Sequence, residues 1–247
     1  MSLPTEAAAP GGRESEQMMT DISSALQRVR AAIGSAAQAA GRDADGVILL
    51  AVSKTFPAAA VREACAAGQR RFGENYVQEL QAKAVELQDL APEWHFIGPL
   101  QSNKTRPVAE LAHWVHSVER LKIAQRLSAQ RPAALPPLNV CIQVNVSGED
   151  SKSGCAPDQV LPLAQAIAAL PGLRLRGLMC IPEPTQDAAT LAARFGVLAT
   201  LQQRLAAAGI AIDTLSMGMS GDMAAAIAAG STMVRVGTAI FGSRHYG

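Results

Sequence analysis

Eight short apolar segments recur between residues 47 and 236, all but the last clearly followed by a stretch with helical spacing. The segments are 47–53, 70–73, 94–97, 113–117, 138–146, 173–180, 212–216 and 232–236. Helical faces lie between them, such as Val77, Leu80, Ala84 and Leu87, or Val160, Leu163, Ala164 and Ile167. Pro57 opens one of these helices, Gly68 stops it, and Gly209 closes the long helix 187–208. Strands that are apolar almost throughout, and do not alternate, belong to parallel sheets covered on both faces. Eight such units favour closure into a barrel over an open doubly wound sheet. The expected fold is therefore α/β, a single (β/α)8 TIM barrel. An extra N-terminal helix precedes it, capped at Thr20 or Asp21, carrying Ile22, Ala25, Leu26, Val29 and Ile33, and ended by Gly41. A chain of 247 residues matches the roughly 250 such a barrel needs and leaves no room for a second folded domain. Residues 1–19 read as a disordered tail and 20–247 as the barrel. The tail lacks the apolar centre of a secretory signal.

Several function classes are excluded. Net charge is +1 with no basic stripe, so neither a nucleic acid nor an anionic membrane is implied as partner. No apolar run approaches the roughly 18 residues of a membrane helix. Cys65, Cys141, Cys155 and Cys180 form no CxxC and no disulfide frame, which suits the reducing cytoplasm. His95, His113, His116 and His245 show no metal-ligand spacing, and His113 and His116 fall on opposite faces of one strand. No metal site is expected.

In barrels of this type chemistry gathers at the carboxyl ends of the strands, and phosphate often binds after strands 7 and 8. The first strand ends at Lys54. The seventh runs into Ser216-Met217-Gly218-Met219-Ser220-Gly221-Asp222, and the eighth into Arg235-Val236-Gly237-Thr238. Closure of the barrel brings the first strand beside the last. Each residue taken alone has an ordinary reading. Lys54 can be a solvated edge charge, Ser220 or Asn75 a helix cap, His95 a core histidine, and Arg235 half of an interior ion pair. Asp222 opposes a phosphate unless it points away. Taken together, a primary amine facing a phosphate loop is the minimum equipment for holding pyridoxal phosphate as a Schiff base.

At these positions the chain resembles the pyridoxal phosphate homeostasis protein family, small barrels like the N-terminal domain of alanine racemase (pyridoxal phosphate fold type III). The resemblance rests on Ala51-Val52-Ser53-Lys54-Thr55, Phe72-Gly73-Glu74-Asn75-Tyr76-Val77-Gln78-Glu79 and the stretch His95–Lys104. It continues through His116-Ser117-Val118, Leu215–Asp222 and Val234–Gly242, so it spans roughly residues 47–242. It implies that Lys54 carries the Schiff base and that Ser216, Ser220, Gly237 and Thr238 surround the phosphate. Arg235 would face the pyridine nitrogen, with Asn75 beside the ring and His95 near the site. The implied role is a monomeric carrier that buffers pyridoxal phosphate in vitamin B6 and amino-acid homeostasis. Its partners would be the cofactor, amino acids and pyridoxal phosphate-dependent apoenzymes.

A cation opposite the pyridine nitrogen disfavours its protonation and weakens the ring as an electron sink. Racemases of the resembled fold add a tyrosine base from a second domain, whereas Tyr76 and Tyr246 are the only tyrosines here. A carrier is thus favoured over an enzyme. The competing readings are a low-activity amino acid racemase using Lys54 with Tyr76 or water, and a Schiff-base aldolase acting on a sugar phosphate. The loop 147–154 with Lys152 reads as a cover for the site or as a plain solvated loop.

Overall fold

The computed structural model describes residues 11–148 and 153–242, with side chains in the first helix from Ile22 onward. Helix α1 (Gly11–Ala39) comes first. Eight strands then alternate with helices: β1 (Ile48–Val52), α2 (Ala58–Ala66), β2 (Arg71–Glu74), α3 (Val77–Glu86), β3 (Glu93–Phe96), α4 (Thr105–Leu111), β4 (Trp114–Val118) and α5 (Leu121–Gln130). The second half continues as β5 (Leu138–Gln143), α6 (Val160–Ala168), β6 (Leu173–Met179), α7 (Ala188–Ala207), β7 (Thr214–Ser216), α8 (Met223–Ala228), β8 (Met233–Val236) and α9 (Thr238–Phe241). Each strand pairs in parallel with its successor, and β8 returns to β1 to close the barrel, with Leu50 opposite Arg235.

The barrel and the order of its elements are as expected from the sequence. Most strand and helix ends fall within two residues of those expected, and two differ by more. Helix α1 is already formed at Gly11, ahead of the cap expected at Thr20 or Asp21. The fifth strand stops at Gln143 and not at Val146: Val144 still donates to the Met179 carbonyl (2.8 Å), but on its other side it makes only an isolated bridge to Cys155. Residues 1–10 of the expected tail, Lys152 and Tyr246 lie outside the described residues. No helix among the described residues is long and apolar enough to cross a membrane.

The main core lies between sheet and helices, where Leu26, Phe72, Leu80, Phe96, Ile123, Leu138 and Phe195 are completely buried. The few aromatic side chains are offset by alanine-lined helices that approach the sheet closely. Between β6 and β7 the approach is tighter still: a Cβ on Gly177 would lie 1.8 Å from the Thr214 carbonyl oxygen, so only glycine fits. Helix α1 covers the seam, packing on α2, α8 and α9 through Ile22, Leu26, Val29 and Ile33. Arg42 fastens its end by donating to the carbonyls of Ile227 (2.6 Å) and Ser231 (2.8 Å).

Inside the barrel, strand residues at every second position meet on the axis. Leu50, Val52, Ile97 and Met233 form one apolar group, and Trp114, Cys141 and Met179 another. Glu93, His95, His116, Ser216 and Arg235 form a polar group beside them.

Candidate active site at the carboxyl ends of the strands

A cavity of about 300 Å³ opens where β1, β2, β7 and β8 end. Lys54, Asn75, Ser220, Arg235, Gly237 and Thr238 line it, together with Val52, Phe56, Ile97, Ile181, Met219 and Gly221. Six of the eight site residues expected from the sequence are thus brought together. Lys54 follows the last residue of β1 by two positions and is partly buried.

Asn75 does not cap α3. The N-cap is Tyr76, which makes no side-chain cap bond, and Asn75 Oδ1 is buried with no hydrogen-bond partner. An orphaned acceptor on a cavity wall is costly unless a ligand supplies the donor. Its backbone is held in place by contact: a Cβ on Gly98 would fall 2.1 Å from the Asn75 carbonyl oxygen. Ser220 likewise caps nothing, since α8 begins at Asp222 without a side-chain cap bond. The Asp222 carboxylate is turned onto its own loop, where it accepts the Met219 amide hydrogen, and it does not line this cavity. Asp222 thus points away from the cavity, the condition set for it not to oppose a phosphate there directly. Gly237 and Thr238 start α9, where amide groups have no intrahelical acceptor. Gly237 passes close to β1, with its Cβ position 3.1 Å from the Val52 carbonyl oxygen.

Arg235 is buried, which lowers its pKa, yet a guanidinium stays charged. The interior ion pair considered for it is not formed: no carboxylate among the described residues lies within bridging distance. Instead, one terminal nitrogen donates to the Ser216 carbonyl (2.6 Å) and hydroxyl (2.8 Å), and the other donates to the Cys180 carbonyl (2.8 Å). The Nε–H has no partner among the described residues.

His95 and Ser216 do not line the cavity. They lie beneath it in a chain of hydrogen bonds that crosses the barrel. Ser216 Oγ meets His116 Nδ1 at 2.8 Å, His116 Nε2 meets His95 Nδ1 at 2.9 Å, and His95 Nε2 meets Glu93 Oε1 at 3.2 Å. Trp114 Nε1 also donates to Glu93 (2.9 Å), and its ring stacks on His95. The hydrogen bond from His95 holds the Glu93 carboxyl at about 2, against the opposing effect of burial, so it is ionised. Burial pushes His95 below the usual histidine range despite Glu93, and His116 well below it. With both rings neutral, one proton arrangement satisfies every link. Arg235 donates to Ser216, Ser216 to His116, His116 to His95 through Nε2–H, and His95 to Glu93 through Nε2–H. Tyr76, considered as a second base, is 51% exposed and absent from the cavity wall. Among the described residues no three His, Cys, Asp or Glu side chains are grouped to hold a metal ion.

Residues 25–245 match the family model described as alanine racemase, N-terminal domain. The chain is 64% identical to the pyridoxal phosphate homeostasis protein of Pseudomonas aeruginosa over 93% of its own length and 98% of that protein. It is 56% identical to the protein of the same name from Escherichia coli strain K12, over 92% and 99%. The chain belongs to this family. Among solved structures it is similar to PipY of Synechococcus elongatus PCC7942 with PLP bound. That match has a TM-score of 0.77 and 39% identity, covering 90% of this chain and all of that one. Alanine racemase from Corynebacterium glutamicum shares the fold at 16% identity, with a TM-score of 0.67, over 92% of this chain and 62% of that one.

The family's motifs include His95, His116 and Ser216, which lie under the cavity, but give His116 no role and leave Glu93 out. His116 and Glu93 have no obvious role in the sequence. The signal was present, since Glu93, His95 and Ile97, like Trp114 and His116, are spaced by two and therefore share the inner face of the barrel.

Proposed function

We propose that this protein binds pyridoxal 5′-phosphate through a reversible Schiff base on Lys54 and carries or buffers it in vitamin B6 and amino-acid homeostasis. The observation that carries the reading is one cavity wall shared by Lys54, the orphaned Asn75 acceptor, the buried Arg235 cation and the Ser220 and Gly237–Thr238 loops. These residues fit the cofactor in kind. Lys54 supplies the amine, Arg235 a cation for the ring nitrogen, and Ser220, Gly237 and Thr238 a hydroxyl and amide cradle for phosphate. Ser216 and His95 act on that site from below, by fixing the arginine.

The cofactor, when bound, supplies an aldehyde carbon that amines attack. This chain's residues hold its two polar ends and present the lysine between them. Amino acids and the lysines of client apoenzymes are the amines to which it would be passed. The family likeness supports the homeostasis role, and the four buried, unpaired cysteines support a cytoplasmic setting. A monomeric state belongs to the same proposal.

The test compares the parent with Lys54→Ala after adding pyridoxal phosphate, by visible absorption and by borohydride reduction followed by peptide mass spectrometry. A yellow imine band and a reduced adduct on Lys54, both absent from the variant, are expected. Identical spectra resembling free cofactor in the two proteins would refute the proposal.

A further inference from the structure

The residues on either side of Lys54 are both held by one cluster of charges on the outer face of the sheet. Ser53 offers its carbonyl to Lys83 Nζ (2.8 Å), while its hydroxyl donates to Glu74 Oε1 (2.7 Å). Thr55 donates its amide hydrogen to Glu79 Oε2 (2.7 Å). Lys83 joins the two halves, donating also to Glu74 Oε1 at 2.7 Å and to Glu79 Oε2 at 3.0 Å. Its three N–H groups are then all used. Lys83 is 5% exposed and Glu74 is fully buried.

Two observations set this cluster apart from ordinary packing between α3 and the sheet. A buried Lys–Glu pair is a poor way to gain stability, because desolvation offsets its attraction. Here the cost is visible: Glu74 Oε2 has no partner, and burial raises the Glu74 carboxyl to about 6 against the pull of Lys83. The second observation is strain. Thr55, a β-branched residue, has φ +68°, a left-handed conformation that costs about 1–3 kcal/mol and persists only when its surroundings fix it. The bond from its amide to Glu79 provides that fixing, at the first residue after the lysine.

We infer that Lys83, with Glu74 and Glu79, is a positioning device that sets the direction in which the Lys54 side chain leaves β1. The inference rests on the reading of Lys54 as the covalent anchor. Lys83 does not line the cavity and acts through the backbones of Ser53 and Thr55. A long flexible side chain reaches a fixed carbon productively only if its own Cα is fixed, and small misplacements at such a base are costly.

The test uses Lys83→Met, Glu79→Ala and Glu79→Gln, with Leu127→Ala as a control for general destabilisation on the far side of the barrel. Each full-length protein is examined for Thr55 amide hydrogen exchange without cofactor and for its dissociation constant for pyridoxal phosphate. The fraction of Lys54 captured by borohydride is also measured. Lys83→Met and Glu79→Ala should speed Thr55 exchange at least tenfold and weaken covalent capture at least tenfold. Glu79→Gln, which keeps an acceptor for the Thr55 amide, should recover most of both. Leu127→Ala should lower the melting temperature while leaving capture at parental affinity. If Lys83→Met does not fold, the Glu79 pair decides, since Glu79 is partly exposed. Parental capture in Glu79→Ala, or equal loss in Leu127→Ala, would overturn the inference while leaving the Schiff-base reading intact. A parent protein that forms no imine at all would overturn both.

Discussion

His116 offers a direct measure of whether the polar interior is as dry as its geometry indicates. The ring is fully buried between Ser216 and His95, with its pKa well below the usual value, chiefly through burial. A histidine whose folded pKa is depressed binds its proton more weakly in the fold than in the unfolded chain. It therefore contributes stability above pH ~6.5 that is lost as pH falls below that value. Between pH 7.5 and 5.5 an unfolded histidine of pKa about 6.5 gains a tenfold factor in proton binding, equivalent to ~1.4 kcal/mol of lost stability. For a chain of this size that is about 3–5 °C in Tm. Glu74 opposes this trend, because its carboxyl is raised from 4.5 to about 6 and stabilises the fold as pH falls. Its share at pH 5.5 is on the order of 0.8 kcal/mol. The comparison is therefore a difference of differences. Urea unfolding of the parent and of His116→Gln is measured at both pH values, so that Glu74, which makes no contact with His116, titrates in both proteins and cancels, while the introduced amide keeps a donor for His95 Nδ1. The parent should lose more than the variant on acidification, by up to ~1.4 kcal/mol. Equal losses would mean that His116 takes up its proton within the fold, and the neutral hydrogen-bonded chain would be wrong.

Glycine positions provide an opposed pair of outcomes. Gly98→Ala places a Cβ 2.1 Å from the Asn75 carbonyl oxygen, a rigid backbone atom, and should cost about 3 kcal/mol while also weakening pyridoxal phosphate binding. Gly196→Ala, inside α7 with nothing within 4 Å of the new carbon, should instead raise stability by up to ~1 kcal/mol in the same thermal assay. Arg235→Gln withdraws charged donors from the carbonyls of Ser216 and Cys180. It should destabilise the cofactor-free protein by about 1–3 kcal/mol per acceptor left unpaired, as calorimetry would register.

Much of the fold was legible because a parallel barrel writes its strands as apolar runs. Leu138–Ile142 and Leu49–Val52 read as buried strands without any knowledge of their neighbours. The site was legible at its rim, where Lys54, Gly237 and Thr238 stand at strand ends whose adjacency follows from closure. Two kinds of residue were not. Lys83 looks like any helix-surface lysine in Val77–Glu86, and only the fold shows that its four-carbon stem reaches under β1 to Ser53. His116 and Glu93 lie on the inner face, where a barrel usually places apolar side chains. They are joined through His95 between the adjacent strands β3 and β4, a pairing in space that the spacing by two along each strand does not by itself disclose. The start of α1 was placed too late because Thr20 and Asp21 are residue types favoured at helix starts, and such residues can also lie within a helix.

The chain of donors from Arg235 to Glu93 keeps one cation and one anion at opposite ends of the barrel axis, not in contact. Glu93 begins its strand, where Arg71 pairs with it at 3.3 Å, while Arg235 nearly ends its own with no carboxylate in bridging distance among the described residues, so the uncompensated charge is the positive one facing the cavity. A buried cation without a counter-charge leaves a positive field at the cavity, strongest where water is scarce. That field draws a phosphate or a carboxylate inward and opposes an ammonium group. An amine coming to take the cofactor would be favoured if it shed its proton at the mouth, and the unprotonated amine is the form that attacks an imine carbon.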